Sequence, residues 1–220
     1  MIKLTKLSRV FRTDTVETTA LHEIDLTIRA GEFVAIQGPS GCGKSTLLNI
    51  LGLMDSPTSG EYRFMDKDTA KLRDTERTRL RKGQIGFVFQ KFNLIDSLTI
   101  FENVELPLLY LRQPADVRKK AVTAVLERLD MAHRMKHFPH QLSGGQQQRA
   151  AVARCLVVNP PLILADEPTG NLDSQNGEQV MTFLKECNAE GKTIVMVTHD
   201  DRYSAAAGRV LHLFDGHWKE

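Results

Sequence analysis

Two segments of this chain carry residue types and spacings suited to phosphate chemistry. Gly38-Pro39-Ser40-Gly41-Cys42-Gly43-Lys44-Ser45 fits the pattern G-x-x-x-x-G-K-[ST]. Glycines at this spacing let backbone N–H groups approach phosphate oxygens closely. A helix after the loop presents its positive end to the anion. Lys44 is expected to reach the β- and γ-phosphates of a nucleoside triphosphate, and the Ser45 hydroxyl to ligate Mg²⁺. The second segment is Asp166-Glu167, which closes the apolar run 162–165. Carboxylates at the carboxyl end of a central strand point into the ligand crevice of an α/β sheet. Asp166 is expected to hold Mg²⁺ through water, and Glu167 to polarise an attacking water as general base.

These residues need a particular scaffold. Residues 33–36 read as a short apolar strand running straight into the glycine loop, and 45–51 read as the helix after it. Upstream, Ile2, Leu4 and Leu7, then Leu21, Ile24, Leu26 and Ile28, alternate with polar residues around a polar turn at 12–17. That pattern predicts half-buried antiparallel strands. Residues 69–82 predict a solvated helix, and 85–89 a buried strand ending at Gln90. Helical patterns dominate 91–154, punctuated by Pro107, Pro114 and Pro139. Val117, Ala121, Val125, Leu126 and Leu129 are expected on one buried face, with Arg118-Lys119-Lys120 on the wet side. Residues 162–165 and 193–198 are continuous apolar or β-branched runs, which suits parallel strands covered on both faces. A helix over 175–188 joins them, and 210–213 forms the last strand.

Bulk properties narrow the classes. The 220 residues suit one domain, with 41% hydrophobic and 25% charged residues, ordinary for a globular protein. A net charge of +2 gives no reason to expect nucleic acid or anionic lipid as the main partner. The three cysteines, Cys42, Cys155 and Cys187, are odd in number and form no C-x-x-C pair, which argues against zinc and disulfide frameworks. No apolar run approaches the roughly 18–20 residues of a bilayer span. The N-terminus has no signal-like apolar region, so a cytoplasmic chain is expected, with no direct membrane insertion.

Leu142-Ser143-Gly144-Gly145-Gln146 makes the reading specific. Ser143-x-x-Gln146 is a capping box for the helix that follows, and the paired glycines favour close approach of an anion. A phosphate loop, then LSGGQ, then an apolar run ending in Asp166-Glu167 resembles the ABC-type ATPases over nearly all of the chain. The resemblance implies an α/β fold: a P-loop NTPase (RecA-like) core with a mainly parallel sheet, an N-terminal antiparallel β subdomain and an inserted α-helical subdomain. The implied organisation is a single ABC ATPase domain over 1–220, with the core in 1–90 and 155–220 and the helical signature subdomain in 91–154.

What the resemblance implies about residues is equally definite. Catalysis falls to Glu167, His199, Gln90 and Lys44. His199 matches the switch histidine at the γ-phosphate, and Gln90 the loop glutamine reaching Mg²⁺ or the lytic water. The metal ligands are Ser45, Gln90 and Asp166. ATP is held by Phe11, Gly38, Pro39, Ser40, Gly41, Cys42, Gly43, Lys44, Ser45 and Thr46. Ser143, Gly144, Gly145, Gln146 and Asp173 complete the site of a second copy in a head-to-tail homodimer around ATP. Phe11 stands where the family usually has an adenine-stacking tyrosine, and Gly208 where an aspartate is usual before the last strand. Neither departure threatens hydrolysis.

Finer features, Gly170-Asn171 after Asp166-Glu167-Pro168-Thr169, Phe89-Gln90-Lys91-Phe92-Asn93-Leu94 and the stretch 98–107, resemble the MacB, LolD and FtsE-like subgroup. That implies a subunit driving a separate integral membrane permease of the macrolide or peptide efflux or lipoprotein-release type, peripheral on the inner face of a bacterial cell membrane. An alternative within the subgroup is an ATPase that signals to cell-division or cell-wall machinery. A soluble ABC protein acting on DNA or ribosomes would carry a coiled-coil insertion or a second cassette, and neither is visible in this sequence. Phe92, Leu94, Ile95 and Phe101 are the apolar residues expected near the permease contact, only one or two of them exposed.

Overall fold

A computed structural model describes residues 1–13 and 15–219; Asp14, inside the expected polar turn, and Glu220 lie outside the described residues. β1 (Ile2–Arg12) and β2 (Glu17–Ile28) form the antiparallel pair that their alternation predicts. Ile2, Leu4, Leu7, Leu21, Ile24, Leu26 and Ile28 are all buried. β3 (Phe33–Gln37), buried along its length, runs into the glycine loop and α1 (Lys44–Leu51). β4 (Ser59–Phe64) joins the free side of β1, and the short β5 (Lys67–Asp68) completes a four-stranded sheet of order β2-β1-β4-β5. α2 (Asp74–Arg81) is shorter than the helix expected over 69–82. Thr69 belongs to the hairpin instead: it is buried, and its hydroxyl donates to the Tyr62 carbonyl at 2.9 Å.

The remaining elements are β6 (Ile85–Val88), α3 (Ile100–Tyr110), α4 (Ala115–Arg128), α5 (Gly144–Leu156), β7 (Leu162–Asp166), α6 (Ser174–Ala189), β8 (Thr193–Val197), α7 (Asp201–Ser204), β9 (Arg209–Phe214) and β10 (His217–Trp218). The larger sheet has the order β10-β9-β3-β8-β7-β6. Every neighbouring pair from β9 to β6 is parallel, and β10 returns antiparallel to β9. Strand alternation divides the core in two. Ala35, Ile163, Ala165, Ile194 and Met196 pack with apolar residues of α3 to α6. Val34, Ile36, Leu162, Leu164, Val195 and Val197 pack with α1 and the four-stranded sheet. The molecule is α/β, as expected. Among the described residues no helix is long and apolar enough to cross a membrane.

The helical stretch departs from expectation in three places. Val117 is exposed, and the buried face of α4 and its end is Val122, Val125, Leu126 and Leu129. At about 100° per residue, Val117 is out of phase with that face, whereas Arg118, one turn before Val122, is in phase. Arg118 therefore leaves the wet side: its Nε donates to Glu105 of α3 at 2.7 Å and its Nη1 to the Gln113 carbonyl at 2.7 Å. Pro107 does not punctuate; it lies inside α3. α5 also runs on past residue 154, the expected edge of the helical subdomain.

Candidate functional site

The glycine loop lies at the carboxyl end of β3, between Ala20 of β2 and the turn that joins β9 to β10. Gly43 adopts φ 104° as the N-cap of α1, and a Cβ there would sit 2.4 Å from the Ala20 carbonyl. Gly38 is as tightly placed, since a Cβ would meet the Leu213 carbonyl at 2.0 Å. A glycine N-cap offers no side-chain acceptor, so the N–H groups opening α1 keep their donor capacity and the helix end stays electropositive. The Lys44 ammonium is buried in the loop, donating to the carbonyls of Gly38 at 2.8 Å and Pro39 at 2.7 Å.

The strand ends bring the acidic residues to this loop. The Ser45 hydroxyl lies 3.4 Å from Asp166 Oδ1, although 121 residues separate them in sequence. Burial raises the Asp166 carboxyl above the ordinary aspartate value; the neighbouring Glu167 adds to this, and Ser45 and Lys44 oppose it. Glu167 holds φ 44°, a left-handed conformation rare for a side chain of its size, fixed by its N–H donating to the Val197 carbonyl at 2.9 Å. Its Oε2 lies 3.2 Å from His199 Nδ1.

Gln90, Glu167 and His199 line one cleft with Gly38, Ser40, Gly41, Gly43, Lys44, Ser45 and Thr46, enclosing ≈ 390 Å³. Gly170 sits between two of them: a Cβ there would lie 2.9 Å from Gln90 Nε2 and 3.3 Å from Glu167 Oε2. Cys42 is buried behind the loop, its Sγ 3.8 Å from Lys44 Nζ. Phe11 is exposed on β1, with the Arg9 guanidinium 4.5 Å over its ring, and does not line the cleft.

Ser143, Gly144, Gly145, Gln146 and Asp173 do not line this cleft either. Ser143 caps α5 by accepting from the Gln146 N–H at 3.4 Å, while Gln146 Oε1 accepts from the Ser143 N–H at 3.1 Å. The two glycines differ. Gly144 is open, whereas a Cβ on Gly145 would lie 2.1 Å from Asn176 Oδ1. Packing against α6 thus requires Gly145, and anion approach is not needed to explain it. Asp173 caps α6 through the Asn176 N–H at 2.8 Å, and those bonds hold its carboxyl below the ordinary value.

Sequence reasoning missed the residues that hold the Gln90 loop. Asn171 Nδ2 donates to the Gln90 carbonyl at 2.9 Å. Gln148, fully buried in α5, donates to the Pro168 carbonyl at 2.5 Å and the Phe89 carbonyl at 3.4 Å. A polar side chain on the core-facing stripe of α5 was the available signal for Gln148. Of the four apolar residues expected near a permease contact, Leu94 and Phe101 pack on the core, Phe92 is half-buried and Ile95 alone is exposed. A larger apolar groove, ≈ 500 Å³, lies beside them, walled by Phe87, Phe89, Leu106, Pro107, Tyr110 and Leu111.

Comparison with known proteins identifies the family. The ABC transporter family pattern matches residues 21–170. An uncharacterized ABC transporter ATP-binding protein, MJ1508 of Methanocaldococcus jannaschii, is 48% identical over 98% of this chain and 96% of its own. The macrolide export ATP-binding/permease protein MacB of Azoarcus sp. (strain BH72) is 49% identical over 99% of this chain, which spans only 33% of that relative. The dimeric ATP-binding cassette MJ0796, solved in a post-hydrolysis state bound to ADP and Pi, superposes with a TM-score of 0.94 at 45% identity, covering 100% of this chain and 97% of that one. The chain belongs to the ABC transporter family, as an ATP-binding cassette with ATPase activity.

Proposed function

We propose that this cassette hydrolyses ATP with Mg²⁺ in a head-to-tail homodimer and thereby drives a separate membrane permease of the macrolide or peptide efflux or lipoprotein-release type. The observation that carries this reading is a separation. The glycine loop, Gln90, Glu167 and His199 share one cleft, while Ser143 to Gln146 lie outside it. A second copy, turned to place its own α5 start over that cleft, completes the site.

The residues fit Mg²⁺. The Ser45 hydroxyl, the Asp166 carboxylate and the Gln90 amide supply oxygen donors only, and a small hard cation keeps several waters and phosphate oxygens besides. When bound, the ion neutralises charge on the transferring phosphoryl group. Lys44 and the free N–H groups of α1 bind and orient the phosphates. Glu167, held in place by β8, takes the proton of the attacking water. His199, beside its carboxylate, orients that base and faces the γ-phosphate. Phe11 offers an exposed π face to adenine. Little covalent work is left, so catalysis is positioning and charge neutralisation.

The permease reading rests on the MacB relatives and on the apolar groove beside the Gln90 loop, which suits an apolar helix of a membrane subunit. The helical stretch from residue 91 to the end of α5 at Leu156, with the groove along one edge, forms the subdomain that would carry this contact. In this reading the cassette works on the cytoplasmic face of the membrane.

The direct test is the solution mass of Glu167→Gln in ATP and in ADP, measured by light scattering. A dimer in ATP and a monomer in ADP is the expected result. A monomer in both, with ATP bound, would overturn the sandwich.

A further inference from the structure

The loop from Gln90 to Leu94 has no backbone–backbone hydrogen bond of its own among the described residues; side chains from other elements hold it. Asn171 takes the Gln90 carbonyl. The next two carbonyls to be gripped, those of Phe92 and Asn93, both go to one residue. Arg154 of α5 donates from Nη2 to Phe92 O at 2.9 Å and from Nη1 to Asn93 O at 2.5 Å. Asn93 itself holds φ 51°. Asparagine adopts this left-handed region readily, and the guanidinium fork holds the Asn93 carbonyl that follows it.

Arg154 is an unusual place for a cation. It is half-buried, no carboxylate pairs with it among the described residues, and burial lowers its pKa below the ordinary arginine value. Desolvating a guanidinium without a counter-ion is costly, and stability alone is a poor reason to keep one there. Its planar fork suits two adjacent carbonyls, which a lysine ammonium cannot grip in the same way. Arg154 and Asn93 also line the apolar groove, next to Phe89. One guanidinium therefore touches the groove wall and the loop whose first residue lines the nucleotide cleft.

We infer that Arg154 is a positioning residue for ATP hydrolysis: by clamping the carbonyls of Phe92 and Asn93 it sets the loop that presents Gln90 to the cleft. The inference rests on the ATPase reading and on Gln90 acting at the γ-phosphate end. It assigns Arg154 no contact with nucleotide.

The test is a double-mutant cycle on the full chain, measuring kcat, KM for ATP and nucleotide affinity. Arg154→Lys keeps the charge and removes the fork. Its kcat is expected to fall about 10- to 100-fold, the usual scale for misplacing a catalytic group, with KM and ATP affinity unchanged. Added to Gln90→Ala, it should cost nothing further, because the loop it positions then carries nothing to position. Should Arg154→Lys fail to fold, Arg154→Met, which keeps an apolar stem and removes every donor, runs the same cycle. Wild-type kcat in the folded variant, or losses that multiply with those of Gln90→Ala, would overturn the inference. A wild-type chain that turns over no ATP would instead overturn the reading beneath it, and the inference with it.

Discussion

Glu167 Oε2 and His199 Nδ1 lie 3.2 Å apart, although they come from the ends of different strands, β7 and β8. The contact joins a strained, partly buried carboxylate to an imidazole that is 66% exposed at its side chain. Removing Glu167, the proposed base, should therefore be more damaging than removing His199. Glu167→Gln is expected to lower kcat about 10²- to 10⁴-fold, the range for a lost general base. His199→Ala should lower it less, with ATP affinity kept in both. Single-turnover hydrolysis with labelled ATP separates these outcomes from slow product release.

Asp166 gives a pH prediction of definite sign. Its carboxyl is raised in the folded chain, chiefly by desolvation. An acid raised on folding binds its proton more readily in the native state. Its ionised form therefore costs stability above the folded pKa, and that cost is relieved as pH falls through it. Asp166→Asn should therefore melt higher than wild type at neutral pH when both are measured without Mg²⁺. A lower melting temperature for Asp166→Asn would contradict the desolvation argument.

Cys42 lies behind the loop, and its Sγ is where a Cβ on Gly38 would collide, at 2.7 Å. An alkyl group on that sulfur has no room without displacing the loop, so stoichiometric alkylation of Cys42 should abolish ATPase activity, and saturating ATP should slow the reaction. Cys155 is a built-in comparison: burial pushes its thiol up to about 12, which leaves almost no thiolate to react. Peptide mapping of the labelled sites together with residual activity checks both statements.

Asn103 is fully buried in α3, accepts from the Ile95 N–H at 2.7 Å and donates to the carbonyls of Ile95, Leu98 and Thr99. Asn103→Ala leaves the Ile95 N–H and the Leu98 carbonyl without their partner, while the carbonyls of Ile95 and Thr99 keep backbone donors from Leu98 and residue 103. A loss of about 2–4 kcal/mol is expected, read as a fall in the urea midpoint with an unchanged slope.

The groove makes a prediction about partners. Glu167→Gln, locked in ATP, should co-purify from native membranes with an integral membrane protein, and Tyr110→Glu at the groove wall should abolish that capture without lowering ATP affinity. A partner bearing a substrate-handling extracytoplasmic domain favours export, and one tied to wall hydrolases favours signalling. Capture that survives Tyr110→Glu would move the contact elsewhere.

Much of this molecule is legible in the chain because its signals are local. Alternation in β1 and β2, the continuous apolar runs of β7 and β8, and the order strand–glycine loop–helix around Lys44 each follow from residues near one another. What the chain hides is long-range or side-chain mediated. Arg118 sits within a basic run that reads as solvated, and only its helical phase against Glu105 turns it inward. Gly145 resembles half of an anion-binding pair, yet Asn176, far along the chain, is what excludes a side chain there. Gln148, Asn171 and Arg154 grip backbone carbonyls, and a carbonyl has no signature in sequence.

α5 has one more consequence. Its N-terminus is the capped Ser143 segment that a second copy would meet, and Arg154 lies close to its other end. A helix of 13 residues is roughly 20 Å of rod, stiff along its axis. Whatever tilts one end must swing the other. In the head-to-tail dimer proposed above, a tilt imposed at the Arg154 end would thus reach the opposite protomer's nucleotide as leverage, in a single rigid step.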